Sequence, residues 1–376
     1  MEIQSIIKQA GLTCSVVITT YNGEKYIIEQ IESILNQTVL PDEIIISDDN
    51  SSDNTVLLIK DFMKKVRNNG VRIQLLLNDN PQKGVNQNIG NAIEHTSSDI
   101  VLLCDQDDIW CNDKIEVIKE AFLEYPEMEL LVHDADYLIQ NSDGKFQLHD
   151  KSFYQHHSCA IGYYIGKQRV AKLQREMFIN KVITGNLING MCMAVNREFI
   201  RSIMPFPELG YFDWWILLCS IINDSCFAIN KVLAYYRIHV NNLVGIEVGD
   251  ISKKKKSFLR NINRLIRIKK HINNSEKYVK EEYEWARRVE KQIKLANYES
   301  ISPHIIDSLS FMQYRRVRFL KQNKIAAIKN LSSAFKLYCD SVYTKPYHIN
   351  DVAFVMLRSK RYRVRFSNSI IMNEVN

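Results

Sequence analysis

Long apolar runs are missing from this sequence of 376 residues. The longest, such as WWILLCSII at 214–222, reach about half of the roughly 20 residues that a helix needs to span a bilayer. The first residues, MEIQSIIKQAG, lack the basic region and the long apolar stretch of a secretion signal. We therefore expect neither a membrane-spanning helix nor an export signal, and a cytoplasmic location.

Several motifs that would define other classes of protein are also missing. The eight cysteines include no Cys-x-x-Cys pair and no framework spacing, so we expect reduced thiols, as in cytoplasmic proteins. Neither Gly-x-Gly-x-x-Gly nor a Walker lysine loop occurs, and a glycine-rich loop is therefore not expected to hold phosphate. We also find no Ser/His/Asp or Cys/His arrangement that would supply a covalent nucleophile.

Charge divides the chain into two parts. Residues 251–376 carry 28 Lys and Arg against 10 Asp and Glu, whereas residues 1–250 carry 21 against 33. The apolar content of 46% is that of a soluble globular protein. We predict two domains with different partners, over 1–250 and 251–376.

Strand and helix patterns alternate in the first hundred residues, as in TCSVVITT followed by an amphipathic stretch. Strands are predicted at 13–20, 42–47, 72–77 and 99–104, and helices near 24–37, 54–66 and 86–95. This order predicts an α/β protein with a doubly wound, mostly parallel sheet.

The pattern from residue 127 onward is more mixed. We predict strands at 129–139, 186–195 and 231–239, an irregular stretch at 143–180, and helices after Asn196 and at 213–222. Beyond about residue 250 we predict a basic α-helical region.

Polar groups follow three of the first four strands: Thr19-Thr20-Tyr21-Asn22, Asp48-Asp49-Asn50 and Asp105-Gln106-Asp107-Asp108. Strand-end loops of a parallel sheet meet at one edge, where ligands bind. Carboxylates packed this closely repel unless a positive charge lies among them, and Mg²⁺ accepts one or two carboxylates together with water and phosphate oxygens. The alternative is a solvated acidic loop in which Asp108 caps a helix starting near Asn112.

Five ordered segments resemble family-2 glycosyltransferases with the GT-A fold: SVVITTYNGEKY…SDDNSSDNT, LLCDQDDIW, NGMCMAVNREF, FDWWILLCS and YYRIHVNNLVG. The resemblance covers about residues 14–245. LLCDQDDIW is similar to the DxD motif of that family. The later segments most resemble bacterial rhamnosyltransferase-like members that build surface polysaccharides such as O-antigen or capsule.

The resemblance implies a nucleotide-sugar donor, of the dTDP-rhamnose or UDP-hexose type. It places Thr19 and Tyr21 in the nucleotide pocket, with Tyr21 stacked on the base. It implies that Asp49 accepts a hydrogen bond from N3–H of uracil or thymine and that Asp105 contacts the ribose or a metal-bound water. Capping of the following helix is the alternative role for Asp49.

The same resemblance implies a divalent cation, Mg²⁺ or Mn²⁺, on Asp107, with His239 as a further metal or diphosphate ligand. Asp213 falls where the family carries the base of an inverting reaction, and capping of the helix 214–222 is its alternative. Trp214 and Trp215 are candidates for stacking on an acceptor sugar, although at least one of them is expected to be a core aromatic.

One segment departs from the family pattern. Many relatives carry an arginine shortly after a glycine like Gly84, whereas this chain reads GVNQNIGNAI. Lys83 or Asn88 is expected to take over contact with the nucleotide.

The basic segment KKKKSFLRNINRLIRIKKHI at 253–272 has an amphipathic pattern typical of helices that lie on a membrane surface. Because acceptors in this family are often lipid-linked glycans, we expect peripheral contact with the inner membrane. The alternative is packing on the catalytic domain or on a second subunit of a homo-oligomer. No nucleic-acid-binding module is recognisable, and a catalytically inactive nucleotide-sugar-binding module is the alternative function.

Overall fold

The computed structural model describes residues 11–66, 70–78, 84–140, 144–156, 160–184, 186–206 and 211–239. The helical region predicted at 251–376, including the amphipathic segment, and Lys83 lie outside the described residues. Within the described ranges, no helix combines the length and the apolar character that crossing a bilayer requires.

Ten strands of the described chain form one sheet. They are β1 (Cys14–Thr20), β2 (Glu43–Asp48), β3 (Arg72–Leu77), β4 (Ile100–Asp105), β5 (Ile109–Trp110), β6 (Leu130–Gln140), β7 (Phe146–Ser152), β8 (Val170–Lys172), β9 (Met193–Asn196) and β10 (Cys226–Ile238). Their order in the sheet is β3-β2-β1-β4-β9-β6-β10-β5, with β7 paired to β6 and β8 to β10.

The helices of the described ranges flank this sheet. They are α1 (Ile27–Leu35), α2 (Thr55–Lys65), α3 (Val85–Glu94), α4 (Lys114–Glu124), α5 (Phe153–His156), α6 (Ala160–Ile165), α7 (Arg175–Thr184), α8 (Arg197–Ser202) and α9 (Phe212–Ile222). In α1, Ile27, Ile31 and Ile34 share the buried face that their spacing predicts. Asn196 caps α8 as predicted, accepting a hydrogen bond from Phe199 N.

The first four strands, β3-β2-β1-β4, are all parallel, as the alternation of strands and helices predicts. β1 and β4 are buried along nearly their whole length. Strands covered on both faces require the continuous apolar runs seen in their sequences. This half of the sheet therefore places the carboxyl ends of its strands side by side at one edge.

The structure confirms the predicted α/β fold, and the second half of its sheet is mixed. β9 runs antiparallel to both of its neighbours, β4 and β6, while β6 and β10 are parallel. The stretch at 143–180 is not irregular, since it contains β7, α5, α6, β8 and part of α7. β7 pairs with the preceding strand β6, and β8 pairs with β10, which lies more than 50 residues further along the chain.

The strand predicted at 186–195 is shorter than expected. A 3₁₀ turn occupies Gly190–Cys192, and β9 begins only at Met193. The turn directs the carbonyl of Met191 towards Lys114, whose Nζ donates to it at 2.9 Å. The carbonyl of Met191 therefore bonds to α4, and Met191 is not part of the strand that the apolar pattern predicts at 186–195.

Candidate active site

The three groups of polar residues that follow strands lie together at one edge of the sheet. β1 lies between β2 and β4, and Thr19 is in register with Ser47 on one side and Asp105 on the other. Because the three strands are parallel, the loops after them converge, as the sequence predicts.

Two neighbouring aspartates at the end of β2 have different environments. Asp48 is buried and accepts a hydrogen bond from Thr20 Oγ1 at 2.7 Å, which ties β1 to β2. Asp49 is half-buried and accepts hydrogen bonds from Asn78 Nδ2 at 3.2 Å and from Gly84 N at 3.0 Å. Each carboxylate oxygen has two acceptor positions, so Asp49 retains the capacity to bind a donor on a ligand.

The structure decides the alternative role of Asp49 and shows the hydrogen bonds of Asn88. The N-cap of α2 is Asn54, so Asp49 does not cap that helix. Asn88 is buried, and its Nδ2 donates to Ser47 O at 3.0 Å and to Thr20 O at 3.4 Å. Asn88 therefore joins the ends of two strands, and its contact with the nucleotide stays a prediction.

Gln106 is a site residue that the sequence argument missed. Its side-chain amide pairs with the backbone of Tyr21, since Tyr21 N donates to Oε1 at 2.9 Å and Nε2 donates to Tyr21 O at 3.1 Å. A Cβ at Gly23 would lie 2.1 Å from Gln106 Oε1, so any larger residue there would displace the Gln106 amide. The pairing fixes the turn after β1 and leaves the Tyr21 side chain 54% exposed.

Residues 105–108 form the carboxylate loop at the end of β4. Asp107 of this loop pairs with His239, which follows β10. Asp107 Oδ2 lies 2.9 Å from His239 Nε2, and the two side chains are 14% and 7% exposed. The structure thus brings together the two residues predicted as metal ligands, although they lie 132 residues apart in the chain.

The donor set of this pair fits a cation that takes few protein ligands. Within the described ranges, no group of three or more His, Cys, Asp or Glu residues is arranged to hold a metal ion. Asp107 Oδ1 accepts no hydrogen bond from a described residue, so a carboxylate oxygen remains for a ligand. Mg²⁺ commonly keeps one or two protein ligands and completes its shell with water and phosphate oxygens.

A buried lysine lies close to the carboxylate loop. Lys114, at the start of α4, is fully buried, and its Nζ lies 3.8 Å from the ring centroid of Trp110. Burial lowers the pKa of Lys114 to about 8. Asp108 is among the groups whose charge opposes that shift, so Lys114 supplies part of the positive charge that such a cluster requires.

The pKa values of Asp105 and Asp108 are raised by burial and by neighbouring carboxylates. Burial, with the charges of Asp107 and Asp213, raises the pKa of Asp105 to about 7. Burial, with the charges of Asp107 and Asp105, raises the pKa of Asp108 well above its usual range. Asp108 Oδ1 accepts a hydrogen bond from Arg237 N at 3.0 Å, and α4 begins at Lys114 after Asp113. The alternative of Asp108 as an exposed helix cap is therefore wrong.

Asp213 lies in the first turn of α9. Its Oδ1 accepts a hydrogen bond from Trp214 N at 2.7 Å. Burial raises the pKa of Asp213 to about 6, although hydrogen bonds from Trp214, Asn186 and Gly190 oppose the shift. The charge of Asp213 also acts on Asp105, so the candidate base lies near the carboxylate loop.

The two tryptophans after Asp213 have different environments. Trp215 is 2% exposed, and its Nε1 donates to Ile203 O at 3.0 Å. Its prediction as an acceptor-binding residue is corrected, because the ring is part of the core. Trp214 is half-buried, with its Nε1 bonded to the carbonyl of Val182, and it remains the candidate for contact with an acceptor.

Fold and site together define a class of protein: an α/β protein in which parallel strands end side by side at a cluster of carboxylates. The sequence model described as Glycosyl transferase family 2 matches residues 15–181. A glucosyltransferase of Escherichia coli, "UDP-Glc:alpha-D-GlcNAc-diphosphoundecaprenol beta-1,3-glucosyltransferase WfgD", is 30% identical over 64% of this chain and 83% of its own length. The chain belongs to glycosyl transferase family 2.

Other similarities agree with this family. The "dTDP-rhamnosyl transferase RfbG" of Shigella flexneri is 27% identical over 64% of this chain and 77% of its own length. The crystal structure of S. aureus TarS 1–349 in complex with UDP-GlcNAc is 16% identical, with a TM-score of 0.50 over 93% of each chain. That likeness shows the GT-A fold.

Two more relatives are matched over less of their length. They are an uncharacterized glycosyltransferase of Nostoc and "GalNAc(5)-diNAcBac-PP-undecaprenol beta-1,3-glucosyltransferase" of Campylobacter jejuni. They are 26% and 24% identical over 61% and 60% of this chain, which spans 65% and 64% of their lengths.

Proposed function

We propose that the protein transfers a sugar from a nucleoside-diphosphate sugar to a glycan acceptor, with inversion at the anomeric carbon, in the synthesis of a bacterial surface polysaccharide. The observation that carries the proposal is the proximity of two groups, since the charges of both Asp107 and Asp213 act on Asp105. The Asp107–His239 pair suits a cation beside a diphosphate, and Asp213, with its pKa of about 6, suits proton abstraction.

The donor binds along the strand ends. Tyr21 presents an exposed ring for stacking on the base, and Thr19 lines the pocket beside it. Asp49 accepts N3–H of the pyrimidine with its remaining acceptor capacity, and Asp105 contacts the ribose. A divalent cation, Mg²⁺ or Mn²⁺, held by Asp107 and His239 would neutralise negative charge on the diphosphate.

Asp213 acts as the general base. Its carboxylate takes the proton of the acceptor hydroxyl while the hydroxyl oxygen forms a bond to the anomeric carbon. The bond from that carbon to the diphosphate oxygen breaks on the opposite face, and the nucleoside diphosphate leaves with the bonding electrons. A pKa near the working pH makes Asp213 a stronger base than an exposed aspartate while it stays largely ionised at pH 7.

The relatives support two donors and one type of acceptor. WfgD is named for UDP-Glc and a diphosphoundecaprenol acceptor, and RfbG for dTDP-rhamnose. We propose a dTDP-rhamnose or UDP-hexose donor and a lipid-linked acceptor. We also propose that the basic residues 251–376 bring the protein to the cytoplasmic face of the inner membrane or join it to a second copy.

Donor hydrolysis tests the proposal. UDP-, dTDP- and GDP-sugars are incubated with Mg²⁺ or Mn²⁺, with EDTA as the control. We expect release of nucleoside diphosphate from one donor class and its loss in EDTA. Asp213→Asn should lower transfer to acceptor about 100-fold to 10,000-fold, whereas Asp61→Asn, on the exposed surface of α2, should leave it unchanged. Donor binding without turnover in any form would indicate an inactive binding module, and no binding at all would overturn the proposal.

A further inference from the structure

Arg237, near the end of β10, connects three parts of the site. Its Nε donates to Asp107 O at 2.8 Å, and its Nη2 donates to Glu29 Oε2 at 2.7 Å. Its backbone N–H donates to Asp108. Because the planar guanidinium holds its donors in fixed directions, one side chain connects β10 with α1 and with the carboxylate loop.

Two aromatic rings enclose this guanidinium. Its central carbon lies 4.7 Å from the ring centroids of both Tyr26 and Phe146, within the range of cation–π attraction. The side chain is only 4% exposed. So enclosed a group cannot bind a diphosphate directly, and Arg237 therefore does not replace the arginine that the chain lacks after Gly84.

The same cluster supports His239. Residues two apart on an extended chain point to the same face, and His239 follows Arg237 by two positions. The His239 ring lies 4.8 Å from the ring of Tyr26, which also contacts the guanidinium. Asp107 is consequently held at two points, its carbonyl by Arg237 and its carboxylate by His239.

We infer that Arg237 is a positioning residue that sets the Asp107 carboxylate and the His239 imidazole to face one divalent cation. The inference rests on the proposed function, since it assumes that the pair binds a cation. Lysine at this position would keep the positive charge. Its single nitrogen, however, cannot occupy the two places that Nε and Nη2 occupy against Asp107 and Glu29.

The test measures Mn²⁺ binding by full-length protein, from the decrease of the free Mn²⁺ signal in electron paramagnetic resonance. Titrations are run with saturating UDP and, separately, with saturating dTDP. Arg237→Lys is compared with Arg169→Lys, an arginine that pairs with Glu120 and Glu124 on α4 at 3.0 and 2.9 Å. Nucleotide affinity without Mn²⁺ and the melting temperature are measured for each variant.

We expect Arg237→Lys to weaken Mn²⁺ binding roughly tenfold to hundredfold, the usual effect of losing a partner that orients a metal ligand. Arg169→Lys should bind Mn²⁺ as the wild type does. Nucleotide affinity without Mn²⁺ should be the same in all three proteins. A general loss of structure would instead weaken nucleotide and Mn²⁺ binding together.

Suppose that the wild type turns over donor with Mn²⁺ and that Arg237→Lys is folded and binds Mn²⁺ as the wild type does. This result overturns the inference about Arg237 and leaves the proposed function intact. A wild type that neither binds Mn²⁺ nor turns over donor overturns the proposed function, and the inference with it.

If Arg237→Lys does not fold, Phe146→Leu removes one ring of the cluster while every hydrogen bond of Arg237 remains. It should weaken Mn²⁺ binding about threefold or more, and unchanged affinity in the folded Phe146→Leu protein overturns the inference.

Discussion

Asp213 shows how burial sets the chemistry of a single residue, because burial raises its pKa to about 6. A general base must be ionised to accept a proton. We therefore expect kcat/KM to fall about tenfold for each pH unit below 6 and to level off above it. Initial rates of transfer between pH 4.5 and 8 provide the measurement. A flat profile over this range would contradict the role of Asp213 as the base.

The same burial makes ionised Asp213 unfavourable for the folded state. An aspartate in the unfolded chain titrates near pH ~3.9, so the cost is absent below pH ~4, grows between pH ~4 and ~6, and is complete above. A rise from the ordinary pKa to about 6 corresponds to at most about 3 kcal/mol. Asparagine keeps an acceptor for Trp214 N.

We accordingly predict that Asp213→Asn raises the free energy of unfolding by about 1–2 kcal/mol at pH 8 and leaves it unchanged at pH 4. Urea unfolding at both pH values measures the change. Asp61→Asn, which replaces an exposed carboxylate paired with Lys64, should show no such gain. An equal gain for Asp213→Asn at both pH values would rule out a titration effect.

At the scale of elements, the turn after β1 and the carboxylate loop act as one unit through Gln106. Gly23→Ala would place a Cβ 2.1 Å from Gln106 Oε1, and the flexible amide would have to leave the backbone of Tyr21. Loss of these two hydrogen bonds should raise the donor KM about fivefold to tenfold, with little change in the melting temperature.

A double-mutant cycle with Gln106→Ala tests this coupling. Once the amide is gone, Gly23→Ala has nothing left to displace, so the double variant should resemble Gln106→Ala alone. Additive effects on the donor KM would mean that the two residues act independently.

A second coupling between elements joins the 3₁₀ turn to α9. A Cβ on Gly190 would lie 2.8 Å from two ring carbons of Phe212, which is buried and precedes Asp213. Gly190→Ala should lower the free energy of unfolding by about 1–3 kcal/mol and kcat by about tenfold or more through displacement of Asp213.

Gly90→Ala is the matched control for that substitution. Its Cβ would meet Met204 at an ordinary 3.5 Å, and alanine favours the interior of α3 by about 1 kcal/mol. Thermal unfolding and transfer assays on both variants give the comparison. A Gly190→Ala protein as stable and active as Gly90→Ala would contradict the close packing of the turn on α9.

At the scale of the whole molecule, the local sequence pattern predicts those strands and helices whose formation depends mainly on their own residues. The β-branched run of β1 and the polar residues after it predict the strand and its functional end. Residues that depend on distant partners were missed. Lys114 bonds to a carbonyl 77 residues away, and Arg237 to a carboxylate 208 residues away.

Residue preferences are a second reason why Lys114 and Arg237 are not predicted as buried site residues. Lysine and arginine are rarely buried, so each is expected at the surface. One signal for Arg237 was nevertheless present. A basic residue in an otherwise apolar strand, two positions before the predicted ligand His239, places both side chains on one face. No comparable local signal marked Gln106, whose partner is the backbone of Tyr21.

Residues 251–376 are proposed to contact either the inner membrane or a second copy of the chain. Reversing their charge distinguishes between these two partners. Replacing the four lysines 253–256 by glutamate reverses the most concentrated charge of the basic part. Each lysine near an anionic leaflet contributes about 1 kcal/mol, so binding to phosphatidylglycerol vesicles should fall at least about hundredfold and, in the wild type, weaken with salt. Replacing the exposed Lys60, Lys64 and Lys65 on α2 by glutamate is the control and should have little effect. If vesicle binding is unchanged in the four-lysine variant while sedimentation shows a dimer converted to monomer, the basic part joins two copies of the chain.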